Sequence, residues 1–490
     1  MTIHANPATV QTPRPARTVA VLAAAATIGA VMQTVIVPLL ADLPTILETS
    51  PDTASWAVSI TLLVTAVTTP LAGRLGDLYG KKRLALICLL PMIAGCLVCA
   101  LATDAWLMIA GRALQGIGSG IMPLGLGLLH DVLPKWKRPG AVALLGATAG
   151  LGGALGLPLA AACDQLFSWR FTFVAVAVLA AVVAWLLHRW VPEGRTHPSE
   201  GQFDWSGAAA LSVGLVALLG AVTEGNRWGW TSVPTLAVLA LSTVSFAVWV
   251  RVELRNASPL VDLRLLATPT VAMVNVVALL IGFVMYAPSL VYPQVMQLPE
   301  ATGFGLGQSM LAMGLWIAPN GLAMMAASPF GGRLTARRGP KPTLVLGCSI
   351  ALAALAVSPL CLGQLWQIAA VGIVSNIGFA LIYGALPTIV MDTVPAAQIA
   401  SANSVNNLIR SLGMAVSAAV AGAILATMRM PFADTTAPSL EGFQATLAAT
   451  AAVCVAALII AAIVKHPPTR RNPEAVPDLE PVLAGSPRKP

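Results

Sequence analysis

The stretch Gly73–Arg83 reads G-R-L-G-D-L-Y-G-K-K-R and lies between two long apolar runs. Glycines at close spacing, one acid and a closing run of three bases are what a tight turn between two membrane helices needs. A degraded copy, G-R-L-T-A-R-R-G-P-K-P, occupies Gly332–Pro342. In this alignment Gly80 corresponds to Gly339, 259 residues on, and Asp77 to Ala336. An inter-helix turn repeated so far downstream predicts a chain built from two related membrane halves.

Composition points the same way. Of 490 residues 57% are hydrophobic and 10% charged, whereas soluble domains carry about 25% charged residues. Mean hydropathy is +0.81. The formal net charge of +8 sits in short loops rather than along a stripe, which favours anionic lipid headgroups over nucleic acid as its partner. The seven cysteines (Cys88, Cys96, Cys99, Cys163, Cys348, Cys361, Cys454) lie in or at the ends of apolar runs and read as packing residues. His4, His130, His188, His197 and His466 show no metal-ligand spacing. No G-x-x-x-x-G-K-[ST] motif is present, so ATP-driven pumping is not expected. No segment has room for a soluble catalytic domain. The chain is therefore expected to be no enzyme and to carry no cofactor.

Runs of about 20 apolar residues predict fourteen spans. They are Thr18–Ala41, Ala54–Ala72, Leu84–Ala102, Ala105–Leu129, Pro139–Cys163, Arg170–Trp190, Trp205–Val222, Ser232–Val250, Val271–Val291, Gln308–Phe330, Thr343–Cys361, Gln364–Val390, Ala400–Met428 and Phe443–Val464. With both termini cytoplasmic, 23 of the 28 Lys and Arg residues fall on the inner side, as the positive-inside rule requires. Arg112 and Arg410 fall within spans. The 259-residue offset exceeds six spans by about the length of two more, giving an all-α membrane architecture of six plus two plus six. The expected divisions are a cytoplasmic tail (1–17), a first six-helix half (18–191), a linker with two extra spans (192–265), a second six-helix half (266–465) and a disordered cytoplasmic tail (466–490).

Three segments carry a resemblance to the major facilitator superfamily, and within it to the fourteen-helix drug:proton antiporters. The first is the turn itself, with Gly73, Arg74, Gly76, Asp77, Gly80, Lys81, Lys82 and Arg83 at the positions of the superfamily's G-x-L-a-D-r-x-G-r-k-r signature. The resemblance implies that this loop latches the outward-facing state, with Asp77 and Arg74 in that role. Ala336 in place of the acid implies a weaker second latch. The second segment is Leu107–Gly120 in span 4, L-M-I-A-G-R-A-L-Q-G-I-G-S-G. Arg112 within an apolar span costs about 2.5–3.5 kcal/mol on insertion scales and needs a polar surrounding; the resemblance ties it to proton coupling. The third is Gly146–Pro158 in span 5, where Gly146, Gly150 and Gly153 match the antiporter glycine pattern and Pro158 falls seven residues beyond the pattern's proline position. Leu151 and Ala154 stand where that pattern has proline and glycine. Small residues at this spacing allow close helix approach.

Span 1 departs further. Gln33 occupies the approximate place of an acid that the resemblance leads one to expect, and Asp42 lies nine residues on, about 13 Å along a helix. Asp77, Asp42 and Asp392 are the carboxylates that remain as proton-coupling candidates, with Arg112. By architecture, the substrate cavity is expected to draw on Gln33 and Gln115, on Asn275 and Tyr286 in span 9, on Trp316 and Asn320 in span 10, on Asn376 and Tyr383 in span 12, and on Asn406 and Arg410 in span 13. A mostly apolar cavity with few polar anchors suits amphipathic organic compounds. The expected function is proton-coupled export of drugs or antibiotics by alternating access, by a monomer in a bacterial plasma membrane. The rivals are an importer or metabolite exporter of the same fold and, more remotely, a non-transporting receptor or scaffold.

Overall fold

A computed structural model describes residues 15–36, 39, 43–193, 202–256, 258–395, 398–432 and 435–464. Asp42, much of the 192–204 connection and both expected tails, apart from residues 15–17, lie outside them. The helices are α1 (Pro15–Thr34), α2 (Leu43–Ile46), α3 (Pro51–Tyr79), α4 (Lys81–Ala100), α5 (Ala105–Ile117), α6 (Ile121–Val132), α7 (Arg138–Leu166), α8 (Trp169–Trp190), α9 (Trp205–Trp228), α10 (Val233–Arg255), α11 (Leu263–Leu266), α12 (Pro269–Gln297), α13 (Met310–Arg338), α14 (Pro340–Val357), α15 (Leu365–Thr393), α16 (Ile399–Thr427) and α17 (Leu440–Ile463).

Thirteen of these are long and apolar enough to cross a membrane. The expected span 4 is instead two segments, α5 and α6, joined by a 3₁₀ turn at Gly118–Gly120. The break falls among glycines packed against other helices: Gly116, Gly118 and Gly120 lack side chains, and neighbouring helices fill the space. A Cβ on Gly116 would press on Val64, one on Gly118 on Met92 at 2.6 Å, and one on Gly120 on Ala72. Hydroxyls from α3 brace the turn before the break. Thr61 donates to the Arg112 carbonyl (3.1 Å), and Thr65 and Thr68 donate to the Gly116 carbonyl (3.4 and 3.2 Å).

The duplicated turn is visible in the backbone. Gly80 joins α3 to α4 at φ 103°, and Gly339 joins α13 to α14 at φ 91°. Positive φ is a conformation that side-chain-bearing residues rarely adopt, so both copies keep glycine at that joint. Each of these glycines also donates its N–H four residues back, to Gly76 and Thr335. The two bundles meet along α7 with α13 and α15, and along α3 and α6 with α16.

The inserted pair has its own logic. Ser232 caps α10 by accepting from the Thr235 N–H, and Gly229 makes the turn at φ 87°. Leu211, Leu215 and Leu219 of α9 are buried with Leu63 and Leu78 of α3 and Val405 and Leu408 of α16. The insert thus lies over the seam between the bundles, with α10 outermost. The connection after α16 contains an antiparallel hairpin pairing β1 (Arg429–Phe432) with β2 (Thr435–Pro438).

Candidate functional site: an interbundle clasp and the cleft beside it

The signature turn reaches across the molecule. Helix α16 starts at Ile399 with no capping side chain of its own. Its third residue, Ser401, instead donates both its N–H (2.9 Å) and its hydroxyl (2.7 Å) to Asp77 Oδ2 on α3. A carboxylate at a helix N-terminus satisfies an orphan donor and meets the positive end of the helix dipole. Asp77 therefore caps a helix 324 residues away in the chain. Gly73 makes the approach possible, since a Cβ there would overlap the Ser404 hydroxyl and come within 2.9 Å of the Ala400 carbonyl. Gly76 is needed in the same way against Leu124 of α6.

Behind the clasp lies a buried ion network. Lys81, expected as a base at the membrane face, is 4% exposed. It binds Asp131 at the end of α6 (2.9 Å) and lies 3.6 Å from Asp77. The turn folds back toward α3 at Gly80, which carries Lys81 inward rather than into solvent. Lys82 donates to the His188 carbonyl (2.9 Å), Arg74 is buried and Arg83 is exposed. Nothing in the sequence pattern gives Asp131 or Ser401 a role. The second copy lacks this device: Ala336 has no carboxylate, and α7 begins without a side-chain cap. There the bundles meet through bare backbone, where a Cβ on Gly332 would come 2.6 Å from the Gly140 Cα.

Arg112 is fully buried. Its Nε donates to the Ala57 carbonyl of α3 (2.9 Å), and its Nη1 to the Met32 carbonyl of α1 (2.9 Å) and to Gln115 Oε1 (2.6 Å). The charge is solvated by backbone dipoles of two neighbouring helices, which answers the insertion cost without a carboxylate. Gln115, expected in the cavity, is spent here, its amide donating to Cys96 and Cys99 sulfur (3.5 Å each).

The glycine signature in α7 divides by face. A Cβ on Gly146 would meet Tyr383 of α15 at 2.8 Å, and one on Gly150 would meet Met324 of α13. Gly153 faces open space, and Pro158 lies inside α7.

Above the clasp, between the bundles, lies a narrow cleft. Met122, Pro123 and Leu126 of α6 form one wall. Ile281 of α12, Ile382, Tyr383, Leu386 and Pro387 of α15, and Asn403, Asn406, Asn407 and Arg410 of α16 form the rest. Arg410 donates to the Tyr383 hydroxyl and to Asn407 Oδ1, and its guanidinium stands 4.6 Å from the Tyr383 ring centre. Asn406 donates to Asn275 Oδ1 (2.9 Å), so Asn275 supports the wall from behind. Tyr383, Asn403, Asn406, Asn407 and Arg410 thus line one cleft. The remaining candidates fall elsewhere. Gln33 is exposed, Trp316 is 38% exposed, Asn320 packs against Gly372, Asn376 donates to the Gly372 carbonyl (2.9 Å), and Tyr286 is half-buried outside the cleft lining.

Comparison with known proteins returns matches over most of the chain. The family description "Major Facilitator Superfamily" matches residues 22–418. The multidrug resistance protein Stp of Mycobacterium tuberculosis is 28% identical over 378 residues, covering 76% of this chain and 69% of that protein. Multidrug resistance protein 3 of Bacillus subtilis is 24% identical over 378 residues, covering 76% and 72%. The crystal structure of the human organic anion transporter MFSD10 is similar in fold, with a TM-score of 0.64 over 92% of this chain and 100% of that one, at 17% identity.

Proposed function

Because the chain belongs to the Major Facilitator Superfamily, we propose that it exports small amphipathic organic compounds in exchange for protons, by alternating access. It is a membrane transporter and not an enzyme. One observation carries the proposal: the cleft between the bundles lies beside a clasp, Asp77 to Ser401, that joins them at the basic-loop end. A site between two bodies with a breakable tie on one side is what alternating access requires. Relatives named for multidrug resistance support the drug-like substrate class. In this reading the clasped end, which carries the basic loops, faces the cytoplasm, and the clasp closes the molecule on that side.

Protonation of Asp77 removes the charge behind two hydrogen bonds and the cap of α16, which loosens the clasp. That gives proton entry a mechanical consequence at the cytoplasmic end. Each charge moved through 100 mV releases about 2.3 kcal/mol. In this reading Arg112 fixes α1, α3 and α5 as one unit, so that the first bundle moves as a body. The protein acts as a monomer in the plasma membrane.

The test is accumulation of a fluorescent amphipathic dye in inside-out vesicles carrying the protein. A pH gradient, acid inside, is expected to drive accumulation, and nigericin is expected to abolish it. Accumulation that ignores nigericin sinks proton coupling. Accumulation confined to right-side-out vesicles reverses the direction to import.

A further inference from the structure

The cleft contains a charge for which the described residues offer no counter-ion. Among the described residues no carboxylate lies within ion-pairing distance of Arg410, whose partners are the neutral Tyr383 and Asn407. The sequence explains why. Helices α12, α13 and α16 contain no Asp or Glu at all, and α15 contains only Asp392. Asp392 is nine residues beyond Tyr383, and Asp77 holds Ser401, nine residues before Arg410. Nine residues are about 13 Å of helix. Asp131, the acid of the cleft-lining α6, is engaged by Lys81 at 2.9 Å, and none of these acids neutralises the guanidinium.

Arg410 is also held firmly. A Cβ on Gly282 would overlap the Arg410 carbonyl, and a Cβ on Gly413 would overlap that of Leu279. These reciprocal backbone contacts between α12 and α16 fix the helix from which the guanidinium extends. Two of its five N–H donors are engaged, and a planar fork of donors suits a carboxylate or sulfonate. The rest of the lining is apolar (Met122, Leu126, Ile281, Leu386) apart from amides.

We propose that the cleft selects amphipathic organic anions, with the anionic head on Arg410 and the apolar body against α6, α12 and α15. The selection rests on the transport reading only in calling the ligand a substrate. A cationic amphiphile of the same shape meets like charge in a low-dielectric cleft and is disfavoured. The Arg410 charge and the bound anion cancel, so the loaded cleft is closer to neutral than the empty one.

The experiment uses three probes with one aromatic body: 1-naphthylacetate, its neutral amide and 1-naphthylethylamine. Binding to the purified full-length protein in detergent is measured calorimetrically. The carboxylate is expected to bind at least tenfold more tightly than the amine, with the amide between them. Asn407→Asp places a carboxylate where Arg410 already has a partner, and is expected to erase the preference without deleting the arginine. Arg410→Lys is expected to keep the order of the three with weaker carboxylate binding. Equal or tighter amine binding in the wild type overturns the inference, as does an unchanged preference in Asn407→Asp. If the variants do not fold, the wild-type ranking decides alone. Carboxylate binding without dye transport leaves the inference standing and removes the transport reading. Dye transport with amine preference does the reverse.

Discussion

At the scale of single residues, Asp77 does the most with the least. One carboxylate oxygen receives two hydrogen bonds from Ser401 and completes the N-terminus of α16. Hydrogen bonds to a charged group contribute about 1.5–3 kcal/mol each. Asp77→Asn keeps the shape but loses the charge and, in one amide orientation, an acceptor. It is expected to weaken the clasp by about 2 kcal/mol, roughly a thirtyfold shift in the closed-to-open ratio. Spin-label distances between α3 and α16 are expected to lengthen and broaden in the variant. Distances that match the wild type, with normal transport, would show that the clasp is not what closes this end. The acid itself was legible in the sequence because the signature turn repeats and only one copy carries it. Its partner was not. Nothing local to Ser401 marks it as a residue capped from another helix, since the pairing is tertiary. The burial of Lys81 is hidden for a related reason: only the positive φ of Gly80 turns this base of the signature turn toward Asp131.

At the scale of elements, glycines sort by what stands opposite them. The sequence placed Gly146, Gly150 and Gly153 in one signature, yet Gly153 faces open space while the other two face the second bundle. Spacing along one helix does not reveal what packs against it. Gly153→Ala is accordingly expected to be neutral or to stabilise α7 by up to about 1 kcal/mol, the helix-propensity difference. Gly413→Val is expected to force α12 and α16 apart, because the obstacle is the Leu279 carbonyl and backbone cannot rotate away. Overpacking costs of about 1–3 kcal/mol apply, and thermal unfolding in detergent reads both variants. A fall in Tm for Gly153→Ala larger than for Gly413→Val would contradict this packing.

The inserted pair offers a second check at the same scale. Asp204 caps α9, accepting from the Gly207 N–H (2.8 Å) and the Ser206 hydroxyl (2.7 Å). Burial opposes its ionisation, but these bonds and the Asn256 side chain outweigh it and hold the carboxyl below its ordinary value of 3.8. A depressed pKa means the cap stabilises above pH 3.8 and is lost as pH falls below that value. Amide exchange in the first turn of α9 is expected to accelerate below pH 4, and Asp204→Asn is expected to flatten that dependence.

At the scale of the whole molecule, the hydrophobic pattern announced almost everything except where a helix stops being regular. Apolar run length located every long helix, and the exception, span 4, breaks at glycines whose role depends on α3 and α4. What the bundles do to each other is a matter of geometry at their seam. Three devices meet there: the Asp77 clasp, the glycine-lined approach of α7 to α13, and α9 lying across α3 and α16. If the seam opens in the transport cycle, tying it covalently must stop the cycle. Gly127 of α6 and Ala400 of α16 suit such a tie once the flexible Lys81 stem gives way, since a Cβ on Gly127 would stand 3.2 Å from that of Ala400 and 2.8 Å from Lys81 Cδ. Disulfides span Cβ separations of about 3.5–4.5 Å, so a shift of a few tenths of an ångström suffices. The Gly127→Cys, Ala400→Cys pair is expected to form a disulfide under mild oxidant, to abolish dye transport in vesicles, and to recover it on reduction. Each single variant, treated the same way, is expected to keep transporting. Full transport by a chain shown by mass spectrometry to be cross-linked would mean that these two helices never separate, and the opening would have to be sought at the other end of the cleft.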